Sequence, residues 1–496
     1  MTGPLLERVD RLCGTAARLV GDHALIATVA ELRTRLREPL RVAIAGRVKA
    51  GKSTLLNALV GERLAPTDAG ECTRIITWYT RAAGYEATAV LRDGAEQSLR
   101  FSRTESAIEI ALDGLEPSAL DHIVVGWPSS RLDNLTLIDT PGLEGHDDQS
   151  SARTLRFLGL EDEGTSDVDA VIYLMRHMHR SDAGFLEAFM DRSLSHPSPV
   201  NAVAVLSRAD EVGAGRLDAL VSARAIAERY RLDERVRALC STVIPIAGLI
   251  AETGATLRED EVASLRSLAS MPADDRADLL LSVDRFCDPA SSPLPSQTRE
   301  DLLDRFGLFG IRFALEVLTG ADARTAPAVS RALVGASGVE ELGEVLDDHF
   351  AGRARALKAR SVVVALKDVA RRLERDKPDA SRQLLASVEE FEATAHEFAE
   401  LRLWHLALSG AVELDAEEVA EVRRVTTTGE PRERLGLSPD APDSAMQETA
   451  RQRIEHWRSR AMHPLTRREL AEACDILARS YEGLYAETAA GPDDRS

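Results

Sequence analysis

The sequence predicts an α/β domain with a mostly parallel sheet, followed by an extended all-helical region. Between about residues 40 and 250, short apolar runs typical of buried strands alternate with helical segments, which is the pattern of a parallel sheet. Beyond about residue 250, apolar residues recur over long helical stretches instead. The 496 residues suffice for about two to four domains, and the aromatic fraction of 4% disfavours a β-sandwich.

The composition restricts the classes of function. A formal net charge of −20 argues against wholesale nucleic-acid binding, because neutralising phosphates needs clustered Lys and Arg. The five cysteines are scattered without a C-x-x-C pair, which predicts reduced thiols in a cytoplasmic protein. The first residues lack the apolar core of a signal peptide, and no apolar run approaches the ~18 residues of a spanning helix. We therefore expect any membrane contact to be peripheral.

Residues 1–38 carry two helical patterns ahead of the α/β domain. Their apolar positions are Leu5, Leu6, Val9, Leu12, Leu25, Val29, Leu32 and Leu36. A segment this short cannot cover its own apolar stripes. These helices must therefore pack against another part of the chain.

A phosphate-binding loop opens the α/β domain. Gly46–Thr54 reads G-x-x-x-x-G-K-S-T between an apolar strand, Leu40–Ala45, and a helical pattern, Leu55–Val60. The glycines let backbone N–H groups surround phosphates, and the helix start adds partial positive charge. Lys52 is predicted to contact the β- and γ-phosphates and Ser53 to ligate Mg²⁺. The predicted nucleotide contacts here are Gly46, Lys49, Ala50, Gly51, Lys52, Ser53 and Thr54. A glycine turn that matches by chance is the alternative, which the flanking strand and helix oppose.

A D-x-x-G motif follows on its own strand, Leu135–Asp139. Asp139, at the carboxyl end of that strand, can hold the Mg²⁺ shell, and Gly142 can present its N–H to the γ-phosphate. Alone the motif is common, but downstream of a phosphate loop it favours a nucleotide-hydrolysing domain.

A third motif, Ser207-Arg208-Ala209-Asp210, stands where GTPases carry N/T-K-x-D. Asp210 can accept the N1–H and N2–H of guanine, and the guanidinium of Arg208 can stack on the base. Ser207 departs from the usual Asn or Thr, and a solvated turn after a strand is the alternative. The predicted base contacts at the end of the last strand are the backbone N–H groups of Ala247 and Gly248.

The order of these motifs predicts a P-loop GTPase domain at residues 39–255, with its site at the carboxyl ends of the strands. GTP and GDP are the predicted substrate and product, with Mg²⁺ as cofactor, ligated by Ser53 and Asp139. His177 and His179 form an H-x-H at a strand end, but a third metal ligand is not apparent in the sequence.

Residues 256–496 are predicted to form a helical neck and trunk. Ser337 and Glu340 form a capping-box pattern that opens a helix predicted to reach Asp376. A second helical pattern runs from Leu385 to Leu408, an exposed connector spans residues 425–443, and the last two helices are predicted at residues 444–462 and 466–487.

If successive long helices are antiparallel, the turns at Lys377-Pro378 and His463-Pro464 lie together at the end far from the GTPase domain. Both turns are basic, and we hypothesise that they touch an anionic membrane, where each cation gains about 1 kcal/mol. The residues concerned are Arg371, Arg372, Arg375, Lys377, Trp457, Arg458 and Arg460, with Arg467 and Arg468 beside them. Solvated helix faces with local ion pairs are the alternative.

These motifs, on a large domain set between N- and C-terminal helices, resemble the bacterial dynamin-like proteins. The strings from Val48 to Leu55, from Ala65 to Ala69 and from Leu206 to Glu211 look most like the isoniazid-inducible actinobacterial branch, the IniA and IniC type, with a layout closer to IniC. The resemblance implies Thr73 as the switch threonine that closes on Mg²⁺ and γ-phosphate, although an ordinary loop threonine is the alternative. It also implies that residues 5–36 join the C-terminal helices in a stalk, and that the protein works on membranes, alone or with a paralogous partner.

Two residues give hypotheses about turnover. Leu143 stands where many GTPases place a water-orienting glutamine, and a leucine cannot polarise water, so we expect slow intrinsic hydrolysis. Lys49 stands where cation-activated GTPases place an asparagine that recruits K⁺. We hypothesise that its ammonium group supplies that charge, although a solvated lysine is the alternative.

The leading function is therefore a dynamin-like GTPase that remodels the cytoplasmic face of the cell membrane, peripherally and with GTP-dependent association. The alternative is a nucleotide-gated scaffold that binds a paralogous dynamin-like partner and hydrolyses little GTP itself. A ribosome- or tRNA-associated GTPase is disfavoured by the negative charge, and no nucleic-acid partner is expected.

Overall fold

A computed structural model describes residues 4–62, 64–65, 75–103, 108–112, 114–143, 148–160, 166–190, 198–288, 292–320, 325–427 and 429–489. The strands are β1 (Leu40–Gly46), β2 (Leu64–Ala65), β3 (Thr77–Arg81), β4 (Glu86–Leu91), β5 (Glu96–Ser98), β6 (Arg100–Arg103), β7 (Ile108–Ala111), β8 (Leu120–Trp127), β9 (Leu135–Asp139), β10 (Ala170–Met175), β11 (Ala202–Ser207) and β12 (Val243–Ile246).

The helices alternate with these strands and then continue alone. They are α1 (Pro4–Leu19), α2 (His23–Arg35), α3 (Lys52–Val60), α4 (Asp148–Phe157), α5 (Arg180–Phe189), α6 (Ala219–Leu232), α7 (Glu234–Arg237), α8 (Gly248–Ala255), α9 (Glu259–Ala269), α10 (Ala273–Leu279), α11 (Val283–Cys287), α12 (Ser296–Thr319), α13 (Ala326–Ala336), α14 (Val339–Val345), α15 (Ala354–Leu373), α16 (Pro378–Thr394), α17 (His396–Leu408), α18 (Ala416–Val425), α19 (Pro431–Arg434), α20 (Asp443–Ala461) and α21 (Arg468–Ala489).

Nine strands form one sheet in the order β12-β11-β10-β1-β9-β3-β8-β4-β5. Neighbours from β12 to β9 pair in parallel, as the alternation of strands and helices predicts. β3 then runs antiparallel to β9 and parallel to β8, and β4 and β5 form an antiparallel edge beyond β8. The mostly parallel sheet is confirmed, and the carboxyl ends of β1, β9, β11 and β12 share one edge.

The sheet separates two apolar cores. Along β1, Leu40, Val42 and Ile44 face a core shared with α1, α2, α15 and α16, whereas Ala43 and Ala45 face a core shared with α5, α6, α9, α12 and α13. The prediction that the N-terminal helices pack against later helices is confirmed, since α1 and α2 both lie against α15. The domain boundary at residue 255 stays a prediction, although α9, α12 and α13 bury their apolar faces against the sheet.

A third core joins α17, α18, α20 and α21. The two last helices fall within about two residues of their predicted bounds, and α18 is an additional helix that the sequence reading did not separate. None of the helices in the described parts of the chain is long and apolar enough to cross a membrane.

The predicted capping box is wrong. Ser337 ends α13 with its hydroxyl donating to the Val334 carbonyl at 2.6 Å, and α14 begins instead after Gly338, which has φ +84°. The helix predicted to run unbroken to Asp376 is also wrong, because a π-helical turn at residues 346–350 and a 3₁₀ turn at 351–353 separate α14 from α15. The pattern from Leu385 to Leu408 likewise breaks at Ala395, between α16 and α17.

Candidate nucleotide-binding site

The phosphate loop has the backbone that anion binding requires. Gly51 has φ +93°, and α3 begins directly after it at Lys52. Gly46 has φ +150°, and a Cβ there would lie 2.5 Å from the Leu174 carbonyl oxygen of β10, so only glycine fits. Lys49 also adopts positive φ, +62°, which is uncommon for a side-chain-bearing residue. The loop therefore folds as the motif predicts.

The charged groups of the site lie beneath this loop. The Lys52 ammonium donates to the carbonyls of Gly46 and Arg47 at 3.2 and 3.3 Å. Burial lowers the pKa of Lys52, an effect that Asp139 opposes, and burial raises the pKa of Asp139, an effect that Lys52 opposes. Burial is thus the main cause of both pKa shifts, and the opposite charges of Lys52 and Asp139 counteract it in part.

Ser53 and Asp139 form a unit that suits a divalent cation. The Ser53 hydroxyl donates to Asp139 Oδ2 at 3.1 Å, while the other carboxylate oxygen, Oδ1, is buried without a hydrogen-bond partner among the described residues. A hydroxyl and a carboxylate are hard oxygen donors of the kind that Mg²⁺ prefers. The residues present thus fit the predicted Mg²⁺. Thr140, which the prediction did not use, fixes the end of β9 by donating to the Ile44 carbonyl at 2.9 Å.

The D-x-x-G segment docks directly on the phosphate loop. The Leu143 N–H donates to the Gly46 carbonyl at 3.2 Å, and the Val48 N–H donates to the Leu143 carbonyl at 3.3 Å. A Cβ on Gly142 would lie 2.9 Å from the Val48 Cα, so this approach also needs glycine. The Leu143 side chain is buried in the apolar core. Leu143 therefore contributes to packing, and its side chain has no polar group that could orient water.

A cavity of about 170 Å³ lies beside the loop, where a base would sit. Its lining includes Thr54, Ser207, Arg208, Asp210 and Gly248, which brings the third motif to the first as predicted. Burial raises the pKa of Asp210, and Arg208 opposes that effect weakly. The Ser207 hydroxyl donates to the Met175 carbonyl at 3.2 Å, so this residue frames the pocket.

Arg208 links the base pocket to the phosphate loop. It adopts φ +55°, and its Nη2 donates to the Lys49 carbonyl at 2.9 Å while Nη1 bonds Glu211 at 2.6 Å. Glu211 also lines the cavity and was missed by the sequence reading, although an acidic residue three positions after an arginine in a turn is a usable signal. The prediction for Ala247 is wrong: its N–H donates to the Ser337 carbonyl at 2.9 Å and is not available to a base. Thr73 lies outside the described residues.

Comparison with known proteins identifies the family. A family model described as the dynamin family, Dynamin_N, matches residues 42–197. The chain is 38% identical over 465 residues to the isoniazid-induced protein IniC of Mycobacterium tuberculosis H37Rv, covering 92% of both proteins. The chain belongs to the bacterial dynamin-like proteins, and within them it is IniC-like.

Two further similarities are more limited. The isoniazid-induced protein IniA of the same organism is 32% identical over 168 residues, covering 32% of this dynamin-like chain and 25% of IniA. A solved structure described as "An oligomerised bacterial dynamin pair provides a mechanism for the long-range sensing and tethering of membranes" aligns with a TM-score of 0.34 and 14% identity, covering 99% of this chain and 76% of that one.

In this dynamin-like chain, the two basic turns do not lie together, so the antiparallel count is wrong. The Lys377 ammonium lies over Gly21 in the α1–α2 turn. At the other turn, Arg467 pairs with Glu413 at 3.0 Å. Glu413 lies three residues after Gly410, and the Gly410 carbonyl accepts a hydrogen bond from Arg237 of α7 at 3.5 Å. The physical reason is α18, which inserts one more reversal between α17 and α20.

Trp457 is wrong as a membrane contact. Its side chain is 0% exposed and its indole N–H donates to Glu421 at 2.9 Å. Arg458 pairs with Glu482 at 2.5 Å and Arg460 pairs with Glu418, which agrees with the alternative of local ion pairs. The described residues contain no cluster of three or more metal-binding side chains, so His177 and His179 gain no third ligand there.

Proposed function

We propose that this chain is a GTP-hydrolysing, dynamin-like protein that acts peripherally on the inner, cytoplasmic face of an anionic cell membrane and associates with itself or with a paralogous dynamin-like chain. The observation that carries the proposal is the meeting of Lys52, Ser53, Asp139 and Asp210 around one loop and one cavity. Membership of the dynamin family supports the GTPase part.

In this proposal each residue has a defined task. Lys52 and the loop N–H groups bind the β- and γ-phosphates. The Asp210 carboxylate selects guanine by accepting hydrogen bonds from the two adjacent N–H donors of the base. Ser53 and Asp139, with Thr73 as the proposed third ligand, would hold Mg²⁺, whose charge balances the phosphates when bound. Gly142 would offer its N–H to the γ-phosphate, and Arg208 would stack on the base while holding the phosphate loop through the Lys49 carbonyl.

Selectivity for guanine is tested by Asp210→Ala. The alanine variant lacks the Asp210 carboxylate, so the two N–H donors of bound guanine have no partner. Each unpaired donor costs about 1–3 kcal/mol of binding free energy. We expect at least a tenfold weaker displacement of a fluorescent GTP analogue by GTP, with the weak displacement by ATP unchanged. Glu234→Ala, on the exposed side of α7, is the matched control. Equal displacement by ATP and GTP in the wild-type chain would refute guanine selectivity.

The membrane contact is now best proposed at the α20–α21 turn. Residues 456–468 contain four arginines and no acidic residue, and the turn presents Met462 and Leu465, which are 78% and 86% exposed. An apolar tip suits a bilayer, which gains from burying it. Arg467 and Arg468 beside the tip have only exposed partners, Glu413 and Glu472, and such surface pairs are weak enough for an anionic membrane to replace them. The competing surface, Arg371–Lys377 with Glu374 and Asp376 among its cations, lacks such a tip.

Vesicle sedimentation with phosphatidylglycerol compares three variants of the full chain. Met462→Ser/Leu465→Ser removes the tip, Arg467→Glu/Arg468→Glu reverses the cations, and a third variant reverses Arg371, Arg372, Arg375 and Lys377. Losing two cations alone removes about 2 kcal/mol, roughly a 30-fold weaker affinity. We expect the first two variants to lose binding and the third to keep it. The reverse result would move the contact to the α15–α16 turn.

A nucleotide-gated scaffold is the second candidate, and the buried Leu143 favours it because intrinsic hydrolysis should be slow. Turnover with and without vesicles separates the two functions. Stimulation by phosphatidylglycerol vesicles supports the membrane GTPase. GTP binding with negligible turnover under both conditions supports the scaffold.

A further inference from the structure

A second cavity lies away from the nucleotide, where the sheet domain meets two sets of helices. Its volume is about 290 Å³, roughly twice the ~150 Å³ engineered cavity that holds benzene. Ser198 and Val200, which precede β11, form one wall. Arg360 of α15, the break between α16 and α17, and Arg479 of α21 complete it.

The lining combines an apolar floor with cationic walls. Val200, Ala395, Phe398 and Leu401 supply the apolar part. The cationic part is Arg360, which is 4% exposed, together with the half-buried Arg402 and the exposed Arg479. Neither Arg402 nor Arg479 makes a hydrogen bond or ion pair with another described residue. Their guanidinium groups therefore remain able to bind an anion.

Two acidic residues, Glu389 and Glu392, also line this cavity. Glu392 is already paired with Lys367 of α15 at 2.7 Å, and both side chains are buried. Glu389 is exposed at the rim. His396 adds no charge near neutral pH, because burial, assisted by Arg479, lowers its pKa to about 4.

One residue of this lining, Ser198, has a buried polar atom without a partner. The Ser198 hydroxyl has no hydrogen-bond partner among the described residues, although the residue is only 5% exposed. The Ser198 carbonyl is bound by Arg360 Nη2 at 2.8 Å, which fixes the serine against the arginine.

We propose that this cavity binds a small organic anion, a carboxylate or phosphate monoester head on a short apolar body. The head contacts Arg402 and Arg479, and the body lies on Phe398 and Leu401. Such a ligand touches the sheet domain, the α15–α16 pair and the terminal helices at once. Its binding therefore holds these three parts in the arrangement seen here.

Isothermal titration calorimetry of the full chain tests the site with three probes: octanoate, glycerol 3-phosphate and the neutral analogue octanamide. We expect at least one anion to bind with a Kd below about 1 mM and octanamide not to bind. Octanoate alone would assign a carboxylate source, and glycerol 3-phosphate alone a phosphate source. Absence of heat with both anions, or equal binding of octanamide, would overturn the proposal.

Matched arginine variants locate the binding. Arg402→Gln/Arg479→Gln should weaken it at least tenfold, whereas Arg224→Gln/Arg229→Gln, with the same charge change at exposed positions of α6, should not. The single variant Arg479→Gln, at an exposed position, guards against misfolding and should weaken binding severalfold. If both double variants weaken binding equally, the anion binds by general charge and the cavity is not its site.

Discussion

Replacing Arg35 by methionine should separate the value of a buried ion pair from that of an exposed one on the same helix. Arg35, at the end of α2, donates to Asp169 at 3.1 Å and to the Ser166 carbonyl at 2.7 Å. Its side chain is 5% exposed and that of Asp169 is 4% exposed. Asp169, just before β10, also accepts the Arg41 N–H of β1 at 3.0 Å, so one carboxylate joins α2 to two strands.

The magnitude follows from what is left behind. Breaking a buried pair costs about 3–5 kcal/mol, because the remaining charge loses its partner in a poorly solvated site. Asp169 keeps the Arg41 N–H, and methionine keeps most of the packing of the arginine stem, so we expect about 3 kcal/mol. Arg33, two residues earlier, pairs with Asp10 at 2.7 Å, but the two side chains are 43% and 32% exposed. Arg33→Met should therefore cost below about 1 kcal/mol.

Urea unfolding measures both variants. Trp78 and Trp127 report on the sheet domain, and Trp404 and Trp457 report on the terminal helices. Arg35→Met should lower the midpoint clearly for the sheet-domain signal. If the losses of unfolding free energy in Arg35→Met and Arg33→Met differ by less than about 1 kcal/mol, the buried Arg35–Asp169 pair does not have the stabilising role assigned to it.

Three further predictions concern pH, the phosphate loop and cation dependence. Burial lowers the pKa of His349 to about 3 and of His405 to about 4, so the unfolded chain takes up protons first as pH falls below about 6.5. Stability should be complete above that pH and fall towards pH 4, and His349→Gln should flatten the fall in the unfolding midpoint. Gly46→Ala forces a Cβ to within 2.5 Å of a β10 carbonyl oxygen, so GTP-analogue binding should fall at least tenfold, whereas Gly184→Ala, in open space on α5, should leave it unchanged. If Lys49 supplies the activating charge, turnover should be equal in KCl and NaCl, and a clear K⁺ requirement in the wild-type chain would exclude this role.

The features predicted correctly from the sequence are those that depend on residues close together in the chain. The loop Gly46–Thr54, the strand ends at Asp139 and Ser207, and the parallel order of their strands follow from motif spacing and apolar runs. These signals suffice because a phosphate loop needs particular residues at fixed positions, whatever packs around it.

The errors concern long-range packing. The Ala247 N–H looks available from its place at a strand end, but Ser337, 90 positions later in the chain, takes it. Trp457 looks like an interfacial tryptophan, but Glu421 binds its indole within the third core. The basic turns were misplaced because α18 adds a reversal between Leu408 and the predicted connector, in a stretch that was not predicted to be helical. The errors at Ala247 and Trp457 each depend on a partner that is distant in sequence.

The turn between α13 and α14 contacts the end of β12, beside the predicted base pocket. The Ser337 carbonyl accepts the Ala247 N–H at the end of β12, and a Cβ on Gly338 would lie 2.3 Å from the Pro245 carbonyl oxygen. The end of β12 and the start of α14 are therefore packed without free space between them. The π-helical and 3₁₀ turns after α14 weaken the regular hydrogen-bond ladder before α15 begins. The next helix, α15, is joined to the sheet domain through Lys358, whose ammonium donates to the carbonyls of Leu36 and Glu38 at 3.0 and 2.8 Å.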